Sequence, residues 1–439
     1  MTGIEVGLIS VLVILVLIYA GMHVPVALGL VSFVAVWLLR GSLDAPVYLV
    51  TLAASNSLEN YVFGVVPLFV LMGLLVSHSQ MGRDIYQVAN QLLHRVRGGL
   101  GVATVAANAA FAAITGVSIA SASVFTRVAV PEMMRFGYKP RFAVGVVAGS
   151  SVLGMLIPPS VMLIIYAIIA EQSVAALFKA GIVPGLILSL AFIVAIVVMA
   201  TFFPHYVGGQ PKESGEASPE VRLSASELFA KTAPLVILIL MVLGGIYGGV
   251  FTPTEAGAVG ALGALVISLI KRKLDRTILW QVLVETGHIV ASILMLIVAA
   301  TMYSRMLGIS GLPNELGEWI SHTDIGLYGI LAVYVGLLIV LGTILDTTSI
   351  ILIMVPLFLP VIVPYQVDLV WFGIITIIGA EIGLLTPPLG ISCYVIKSTL
   401  ADDRISLYDI FAGAFPFAVI MLLVLILIIA FPSLSLVLV

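Results

Sequence analysis

The sequence predicts an all-α polytopic membrane protein, organised as an inverted repeat with two re-entrant helical hairpins and two proline-broken helices. Three observations support this prediction: the composition, a motif that occurs twice, and the placement of basic residues. Hydrophobic residues make up 61% of the 439 residues and charged residues only 9%, which excludes a soluble protein with a large core. Apolar stretches such as residues 4–19, 235–250, 289–302 and 415–431 approach, with their flanks, the roughly 20 residues that a spanning helix needs.

A Gly-x-x-x-Pro-Pro motif occurs twice, as Gly-Met-Leu-Ile-Pro-Pro at residues 154–159 and as Gly-Leu-Leu-Thr-Pro-Pro at residues 383–388. Each copy lies inside a long apolar stretch. Adjacent prolines remove two backbone donors and clash with the preceding turn, so a helix that contains them must break. Non-helical backbone is tolerated at bilayer depth only where it is buried in protein or lines a cavity, and its free carbonyls can bind a cation there. Two such breaks at corresponding positions indicate a transporter with two-fold pseudosymmetry.

Basic loops set the predicted orientation, because short cytoplasmic loops retain positive charge. The chain has 19 Lys and Arg, and the densest short basic loop, at residues 271–276, is predicted to be cytoplasmic. A helical hairpin joins this loop to a polar linker rich in Gly, Pro, Ser and Glu at residues 204–232, which is therefore predicted on the same side. The linker divides the chain into a first half, residues 1–203, and a second half, residues 233–439.

The first half contains a predicted re-entrant hairpin. Basic clusters at residues 83–97 and 135–141 are both predicted to be cytoplasmic, and the apolar sequence between them is interrupted by a Ser- and Ala-rich stretch at residues 115–123. The intervening segment must therefore enter the membrane and return to the same side. We predict hairpin one near residues 100–136, followed by a broken helix at residues 142–170.

The second half gives the opposite orientation under the same rule. Residues 314–324 include acidic residues and no Lys or Arg, so this segment is predicted outside. Hairpin two, near residues 325–364 with a tip at residues 342–349, is then entered from the outside, and a broken helix at residues 371–396 runs inward. The two halves therefore form an inverted-topology repeat.

Hydroxyl-rich tips that face broken helices predict two cation sites, and their residues agree with sodium without establishing which ion binds. A hard cation favours carbonyl and hydroxyl oxygens, and this pairing supplies them within the membrane. Small residues can instead serve only close helix packing, but the pairing of each patch with a Pro-Pro break favours the cation sites. Site one is predicted from Ser118, Ser121, Gly154, Ile157 and Pro159. Site two is predicted from the inverted equivalents Asp346, Thr347, Thr348, Gly383, Thr386 and Pro388.

Charged residues within apolar spans are further candidates, because an uncompensated charge near the bilayer centre costs at least about 2.5 kcal/mol. Arg305 can hold a substrate carboxylate in a bidentate fork or extend to the membrane interface. Asp346 can complete a cation site, orient a substrate hydroxyl or pair with Arg305. Glu381 is either a neighbour of site two or the partner of a cation elsewhere in the fold. The predicted substrate-binding residues are Ser121, Ser150, Arg305 and Asp346.

The sequence lacks motifs for enzyme catalysis, nucleotide binding, a histidine metal site or nucleic-acid binding. No nucleophile with an adjacent base, phosphate-binding loop or nucleotide motif is present, so the sequence predicts no enzyme and no ATP-driven process. The six histidines are dispersed without metal-ligand spacing, and no basic stripe suggests nucleic acid. Glu255, three residues after Thr252, is interpreted as a carboxylate at the start of a helix.

Over essentially its whole length the chain resembles the large membrane subunit of tripartite ATP-independent periplasmic (TRAP) transporters, within the ion transporter superfamily. The sequence departs from the family pattern at Val117, where relatives commonly have a second serine, and at Gly379, where an asparagine is frequent. The resemblance depends on the two Gly-x-x-x-Pro-Pro motifs and on Thr-Gly with the Ser/Ala-rich tip at residues 115–123, Ile-Pro-Pro-Ser at 157–160, Ala-Gly-Ile-Val-Pro-Gly at 180–185, Thr-Pro-Thr-Glu-Ala-Gly-Ala at 252–258 and Leu-Asp at 345–346.

The resemblance implies an elevator-type fold, in which a scaffold domain supports a mobile transport domain built from both hairpins and both broken helices. It implies Na⁺-driven import of an organic acid anion, such as a dicarboxylate, keto acid or sugar acid, across the bacterial inner membrane. A soluble periplasmic binding protein delivers the substrate in this family, and a small four-helix membrane subunit completes the complex. Because no four-helix segment precedes Met1, we expect that subunit to be a separate chain. The alternative is a binding-protein-independent anion exchanger or proton-coupled carrier of the same superfamily.

Overall fold

The computed structural model describes residues 2–59, 61–93, 95–209, 223–321, 326–400, 402 and 404–439. Within these ranges the chain is helical, and its β-structure consists of an isolated bridge between Tyr138 and Gly208. Residues 210–222 of the predicted linker and residues 322–324 of the predicted outer segment lie outside the described residues. The all-α fold class predicted from the sequence is confirmed.

Helices of the first half precede the predicted linker at residues 204–232, apart from the last, at Pro204–Val207, which lies within it; a short 3₁₀ segment lies at Tyr61–Gly64. The bounds are α1 (Gly3–Tyr19), α2 (Val24–Arg40), α3 (Asp44–Glu59), α4 (Val65–His78), α5 (Met81–Leu93), α6 (Gly99–Thr115), α7 (Ser118–Arg135), α8 (Pro140–Ser151), α9 (Leu153–Leu156), α10 (Val161–Ile169), α11 (Val174–Phe202) and α12 (Pro204–Val207).

Helices of the second half start at Ala225, within the predicted linker, and a 3₁₀ segment lies at Val363–Tyr365. The bounds are α13 (Ala225–Tyr247), α14 (Pro253–Ile270), α15 (Arg276–Ser310), α16 (Leu312–Ser321), α17 (Gly326–Gly342), α18 (Thr347–Ile362), α19 (Leu369–Leu384), α20 (Ile391–Thr399), α21 (Leu407–Ala430) and α22 (Ser433–Leu436).

Many of these helices are long and apolar enough to cross a membrane. In the described ranges, six meet this criterion: α11, α13, α14, α15, α18 with its 3₁₀ extension, and α21. The number rises to eight if two bent pairs each count as one span: α4 with α5, bent by 63°, and α8–α9 with α10, bent by 45°. Shorter apolar helices add α1, α2, α6, α17 and α19. The chain is therefore a multi-pass membrane protein.

Both predicted helix breaks are present. The chain leaves the helix after Leu156 and resumes at Val161, and it leaves again after Leu384 and resumes at Ile391. The Pro-Pro peptide bond is cis in each break. Proline cannot donate to the helix ladder, so the two motifs end the helices where the sequence predicts.

Several helix starts follow from capping. Thr252 accepts a hydrogen bond from the Glu255 backbone N–H at 3.3 Å, and the Glu255 carboxylate accepts from the Thr252 backbone N–H at 2.8 Å. This capping box, with a proline at the first helical position, begins α14 and confirms the interpretation of Glu255 as a helix-start carboxylate. The same reciprocal arrangement begins α1, α13 and α21.

Helices of the two halves of the chain pack directly against one another. Helix α8, in the first broken span, packs against α21 of the second half, and α19, in the second broken span, packs against α11 of the first half. At the α8–α21 crossing, a Cβ on Gly413 would overlap the Arg141 carbonyl oxygen, and a Cβ on Gly145 would overlap the Gly413 carbonyl. The backbones are in direct contact there, so these glycines fix how the two halves meet.

A second group of helices packs beside this one. Helix α14 packs against α4, and α15 packs against α2 and α4. Gly257 of α14 faces Leu68 and Phe69, and a Cβ there would lie 3.0 Å from the Leu68 Cβ. This explains the glycine in the Thr-Pro-Thr-Glu-Ala-Gly-Ala motif, because small residues allow membrane helices to approach closely.

We expect Gly413→Ala to lower the thermal unfolding midpoint of the purified chain, because the new methyl group overlaps the Arg141 carbonyl oxygen. Overpacking of this kind costs ~1–3 kcal/mol. Gly336→Ala is the matched control, since a Cβ there meets no atom within 4 Å and should leave the midpoint unchanged or slightly higher. A midpoint for Gly413→Ala equal to that of the control would contradict the described α8–α21 contact.

Candidate cation and substrate site

The tip of the first hairpin contacts the first helix break. Helix α6 ends at Thr115, and Gly116 adopts a left-handed conformation with φ of +62°. The Gly116 carbonyl accepts a hydrogen bond from the Val161 N–H at 3.2 Å, and a Cβ on Gly116 would lie 2.6 Å from the Pro159 oxygen. Only glycine combines this φ with such a close approach, which accounts for the Thr-Gly pair at this tip.

The structure places Gly154 of predicted site one next to Ser118 at the tip. A Cβ on Gly154 would lie 3.2 Å from the Val117 carbonyl oxygen and 3.3 Å from the Ser118 nitrogen. The side chains of Ser118 and Ser121 are fully buried, and neither hydroxyl has a hydrogen-bond partner among the described residues. Buried hydroxyl groups are normally paired, so two unpaired ones beside a helix break indicate a position for a ligand.

Helix α11 supports the first break through its Ala-Gly-Ile-Val-Pro-Gly motif at residues 180–185. A Cβ on Gly181 would lie 2.5 Å from the Leu156 carbonyl oxygen, and one on Gly185 would lie 2.7 Å from the Ile157 side chain. The glycines therefore leave room for the broken backbone. Ile157, predicted as a site-one ligand, packs against α11.

The first turn of α7 is open to an anion. Val117 occupies the N-cap position and provides no side-chain hydrogen bond to the first turn. A helix N-terminus has a partial positive charge and unpaired N–H groups, which favour a carboxylate or phosphate. Together with the unpaired hydroxyls of Ser118 and Ser121, the tip presents oxygen ligands and N–H donors in one place.

The second hairpin contacts the second break in an equivalent way. The Thr343 carbonyl accepts hydrogen bonds from the N–H groups of Leu389, at 3.1 Å, and Gly390, at 3.2 Å. A Cβ on Gly342 would lie 2.8 Å from the Cα of Gly383, so the two backbones touch at glycines. The freed backbone groups of the break are thereby paired with the tip.

Asp346 begins α18 and is itself hydrogen-bonded. One carboxylate oxygen accepts from the Ser349 backbone N–H at 3.2 Å, and the other accepts from the Ser349 hydroxyl. The next hydroxyl, Thr348 Oγ1, lies 3.5 Å from the Met162 sulfur on α10 of the first half. Helix α18 therefore joins site two to the helix that follows the first break.

Glu381 lies beside Thr347, one of the residues predicted for site two. Its Oε1 accepts a hydrogen bond from Thr347 Oγ1 at 2.6 Å, and its fully buried Oε2 has no partner among the described residues. Of the two readings of Glu381 left open by the sequence, the structure supports the site neighbour. Thr386, by contrast, lies in the break and donates its hydroxyl to the Ile382 carbonyl, in the last turn of α19, at 2.6 Å.

The two breaks differ in exposure. Pro158 and Pro159 are buried, whereas Pro387 and Pro388 are exposed at the surface. The second break is therefore open to its surroundings and the first is covered by protein. The two breaks, which have the same sequence motif, therefore differ in their exposure at the protein surface.

The hydrogen-bond partners of Ser150 are not residues of the hairpin tips. It is fully buried on α8, where it accepts from the Asn108 side-chain N–H at 2.7 Å and donates to the Val146 carbonyl at 2.7 Å. Asn108 Oδ1 is buried without a partner among the described residues. Asn108 was not among the residues predicted from the sequence. Its position as a polar amide within the Ala-rich helix α6 could have marked it as a candidate site residue.

Arg305 lies in a groove with a second arginine. It is half-buried on α15 and lines a cavity of about 690 Å³ together with Arg40 of α2 and Tyr48 of α3. No hydrogen bond or ion pair joins it to another described residue, Asp346 included. The structure thus groups Arg305 with Arg40 rather than with Asp346.

The donor set at both positions consists of oxygen atoms, and the two sets differ in charge. Site one offers hydroxyl and carbonyl oxygens, and site two adds the carboxylates of Asp346 and Glu381. Oxygen ligands of this kind favour Na⁺, Mg²⁺ or Ca²⁺ over zinc or copper, and uncharged ligands favour the lower charge.

Two hairpin tips that close on two broken apolar helices define a multi-pass membrane transporter. The family model described as "Tripartite ATP-independent periplasmic transporter, DctM component" matches residues 11–434, and the chain belongs to this family. The resemblance predicted from the sequence is thereby confirmed.

Individual relatives agree with this family. The chain is 33% identical over 380 residues, covering 86% of each sequence, to a C4-dicarboxylate TRAP transporter large permease protein of Pseudomonas aeruginosa. It is 31% identical over 424 residues, covering 96% of each sequence, to a sialic acid TRAP transporter large permease protein of Vibrio cholerae. Its fold is similar to that of the Alcanivorax borkumensis YdaH transporter, with a TM-score of 0.63, 13% identity and coverage of 90% of both chains.

We expect Thr347→Val to lower the thermal unfolding midpoint in Na⁺-free buffer, because it leaves both carboxylate oxygens of Glu381 without a described partner. An unsatisfied buried polar group costs about 1–3 kcal/mol. Thr348→Val is the matched control: it is the same substitution at the adjacent buried threonine, whose hydroxyl contacts only a methionine sulfur. Equal midpoints for the two variants would argue against the Thr347–Glu381 hydrogen bond.

Proposed function

We propose that the chain is the large transmembrane subunit of a tripartite transporter that imports an organic acid anion by Na⁺-coupled, elevator-type symport across the bacterial inner membrane. The observation that most directly supports this function is the pair of tip–break contacts, each with buried oxygen atoms that lack a protein partner. Broken helices at matching positions in two halves are typical of secondary transporters. The substrate class is a dicarboxylate, keto acid or sugar acid.

Unpaired buried oxygens support Na⁺ as the coupling ion. In site one these are the hydroxyls of Ser118 and Ser121, and in site two the free oxygen is Glu381 Oε2. A bound cation would satisfy oxygen atoms that otherwise pay a desolvation cost. The carbonyls of Gly154, Ile157 and Pro159 at site one, and of Gly383 and Pro388 at site two, would complete the sets.

The substrate carboxylate is proposed to bind between the tips. The first turn of α7 has no side-chain cap, so its N–H groups are available to an anion beside Ser121. Relatives of the chain transport C4-dicarboxylates and sialic acid according to their names, and both are carboxylates. Asp346 at the opposite tip is suited to orient a substrate hydroxyl. Ser150 and Arg305 stay predictions, because no described hydrogen bond connects either residue to a tip.

Packing supports an elevator-type division. Helices α8 and α21 interlock, as do α11 and α19, so both hairpins and both breaks form one body drawn from the two halves. Helices α1, α2, α4, α13, α14 and α15 pack mainly on one another and form the proposed scaffold. A body that includes both cation sites and the substrate can then move relative to the scaffold as one unit.

Contacts between distant segments support the inverted topology. Lys271, from the basic loop, lies 2.5 Å from an Asp84 carboxylate oxygen, and Lys231, at the end of the linker, lies 3.7 Å from the other oxygen. All three segments are predicted to be cytoplasmic. On the opposite side, the Tyr166 hydroxyl donates to the Leu369 carbonyl at 2.6 Å, which joins segments predicted to lie outside.

The proposed partners follow from the family. Its description names one component of a three-part periplasmic transporter, which implies two further components. We propose that these are a small four-helix membrane subunit and a periplasmic substrate-binding protein. The lipid bilayer is a further proposed partner of the chain.

The direct test is uptake into proteoliposomes that contain this chain with its small membrane partner. A panel of labelled organic acids is offered with the cognate binding protein and an inward Na⁺ gradient. We expect uptake of one acid that requires both the binding protein and the Na⁺ gradient, because coupling needs an occupied cation site.

Two other outcomes would contradict the proposal. Uptake that is indifferent to the binding protein would indicate a stand-alone carrier of the same superfamily. Uptake driven by a proton gradient and unchanged when choline replaces Na⁺ would remove the sodium coupling while keeping the transport function.

We expect Ser121→Ala to reduce the stabilisation that Na⁺ gives the purified chain. In choline buffer the variant should be at least as stable as the wild type, because a buried hydroxyl without a partner has a desolvation cost that alanine lacks. A ligand stabilises the folded state by mass action, so the rise in unfolding midpoint on adding Na⁺ should be at least halved.

Ser151→Ala is the control for this prediction. Ser151 is equally buried, but its hydroxyl already has a partner, because it donates to the Ala148 carbonyl at 2.8 Å. It should lose some stability in both buffers and keep the full Na⁺-dependent rise. A full rise in Ser121→Ala would exclude this hydroxyl from site one.

A further inference from the structure

A basic pocket lies where the start of α8, the short helix α12 and the start of α21 meet. Its volume is about 320 Å³. Four side chains that are cationic or can become so line it, although they come from three distant parts of the chain: Lys139, Arg141, His205 and Arg404. The pocket is distinct from both tip–break contacts, because none of the proposed cation or substrate ligands lines it.

Two of the cationic groups have no carboxylate partner. The Nε atom of Arg141 is buried and has no hydrogen-bond partner among the described residues. The guanidinium carbon of Arg141 lies 5.6 Å from the centre of the Tyr408 ring, so one face of the group is covered by an aromatic side chain. The Lys139 ammonium has no hydrogen bond or ion pair to a described residue. A buried guanidinium atom without an acceptor indicates that an acceptor is missing from the chain itself.

Nearby carboxylates are already engaged. The Asp402 carboxylate accepts three hydrogen bonds from Arg404: from Nε at 2.9 Å, from Nη2 at 2.8 Å and from the backbone N–H at 3.0 Å. These hydrogen bonds lower the pKa of Asp402 to about 2, so it stays ionised. Asp409 accepts from the Ser406 backbone N–H at 3.1 Å and from the Ser406 hydroxyl at 2.5 Å in the capping box of α21. Neither carboxylate is hydrogen-bonded to Lys139 or Arg141.

The pocket walls are fixed in place. The Lys397 ammonium donates to the carbonyls of Asp402, at 3.3 Å, and Ile405, at 2.8 Å, which holds the loop before α21. On the other side, the Lys139 backbone N–H donates to the Val207 carbonyl at 2.9 Å, which joins α8 to α12. A site with fixed walls loses little entropy when it binds a ligand.

We propose that this pocket binds a phosphate-bearing anion, namely the headgroup of an anionic phospholipid. Arg presents a planar fork that matches phosphate oxygens, and Lys adds a point charge. Basic pockets between transmembrane helices on the cytoplasmic side bind such headgroups, and the topology proposed above puts α8 and α21 at that side here. Tyr408 is exposed beside the pocket, as aromatic residues at a membrane interface commonly are.

A bound phosphate would connect the two halves of the chain. Lys139 and Arg141 begin the first broken span, whereas Arg404 and Tyr408 belong to the second half. The ligand would therefore reinforce the α8–α21 crossing at its end. This inference uses the proposed orientation but not the Na⁺ coupling or the substrate, so it can fail or hold independently of them.

The test compares the double variant Lys139→Gln/Arg141→Gln with the wild type, both purified in detergent. Thermal unfolding is measured with added phosphatidylglycerol or cardiolipin, with phosphatidylcholine, and with inorganic phosphate. Native mass spectrometry counts the lipids that stay bound. Lys273→Gln/Arg276→Gln is the matched control, because it removes the same charge from exposed residues of another basic loop predicted on the same side.

We expect anionic lipid to raise the unfolding midpoint of the wild type and of the control, and phosphatidylcholine to raise neither. In the pocket variant the apparent affinity for anionic lipid should fall about tenfold or more, since hydrogen bonds to charged groups are lost. Arg141→Lys keeps the charge but not the planar guanidinium, so its apparent affinity for anionic lipid should lie between those of the wild type and the double variant. This single variant also provides a test if the double variant does not fold.

Three results would overturn the proposal. The first is an equal response of the pocket variant and the control to anionic lipid. The second is an equal response of the wild type to phosphatidylcholine and to anionic lipid. The third is stabilisation by inorganic phosphate without any by lipid, which would keep an oxyanion site but reject the lipid as its occupant.

Discussion

The rest of the structure depends on how the backbone is satisfied at two helix breaks that lie within apolar spans. Each Pro-Pro pair ends a helix and leaves carbonyl and N–H groups that lipid cannot pair. At the first break the Gly116 carbonyl pairs with the Val161 N–H, and at the second the Thr343 carbonyl pairs with the N–H groups of Leu389 and Gly390. The hairpins are therefore required by the breaks, because each tip supplies partners that the broken span lacks.

This requirement also shapes the packing around the breaks. Glycines at the tips, on α11 and at the α8–α21 crossing allow backbones to touch, so the two halves interlock instead of folding side by side. The chemistry of the two sites nevertheless differs. The first has unpaired hydroxyls and an uncapped helix start at Val117, whereas the second has the capping carboxylate of Asp346 and the buried Glu381. The first break is covered by protein, whereas the second is exposed.

Local backbone rules made much of the fold predictable. The Pro-Pro breaks, the start of α14 at Thr252 and the all-α membrane class follow from residue types and their spacing alone. Side-chain partners across helices did not follow, because they depend on the rotation and register of packed helices. The sequence left Glu381 open between two partners, gave no reason to pair Ser150 with Asn108, and did not group Arg305 with Arg40. It also could not bring Lys139, His205 and Arg404 into one pocket, since three segments far apart in the chain form it.

If each tip and its break bind a cation, as proposed, equilibrium binding of radioactive sodium to the purified chain in lipid nanodiscs will detect it. Asp346→Asn keeps a good helix cap but removes the charge from site two, and Asp368→Asn makes the same change at the cap of α19, outside both sites. We expect saturable binding that unlabelled Na⁺ displaces and choline does not. This binding should be weaker in Asp346→Asn and unchanged in Asp368→Asn. Absence of saturable binding, or equal binding by the two variants, would contradict the proposal.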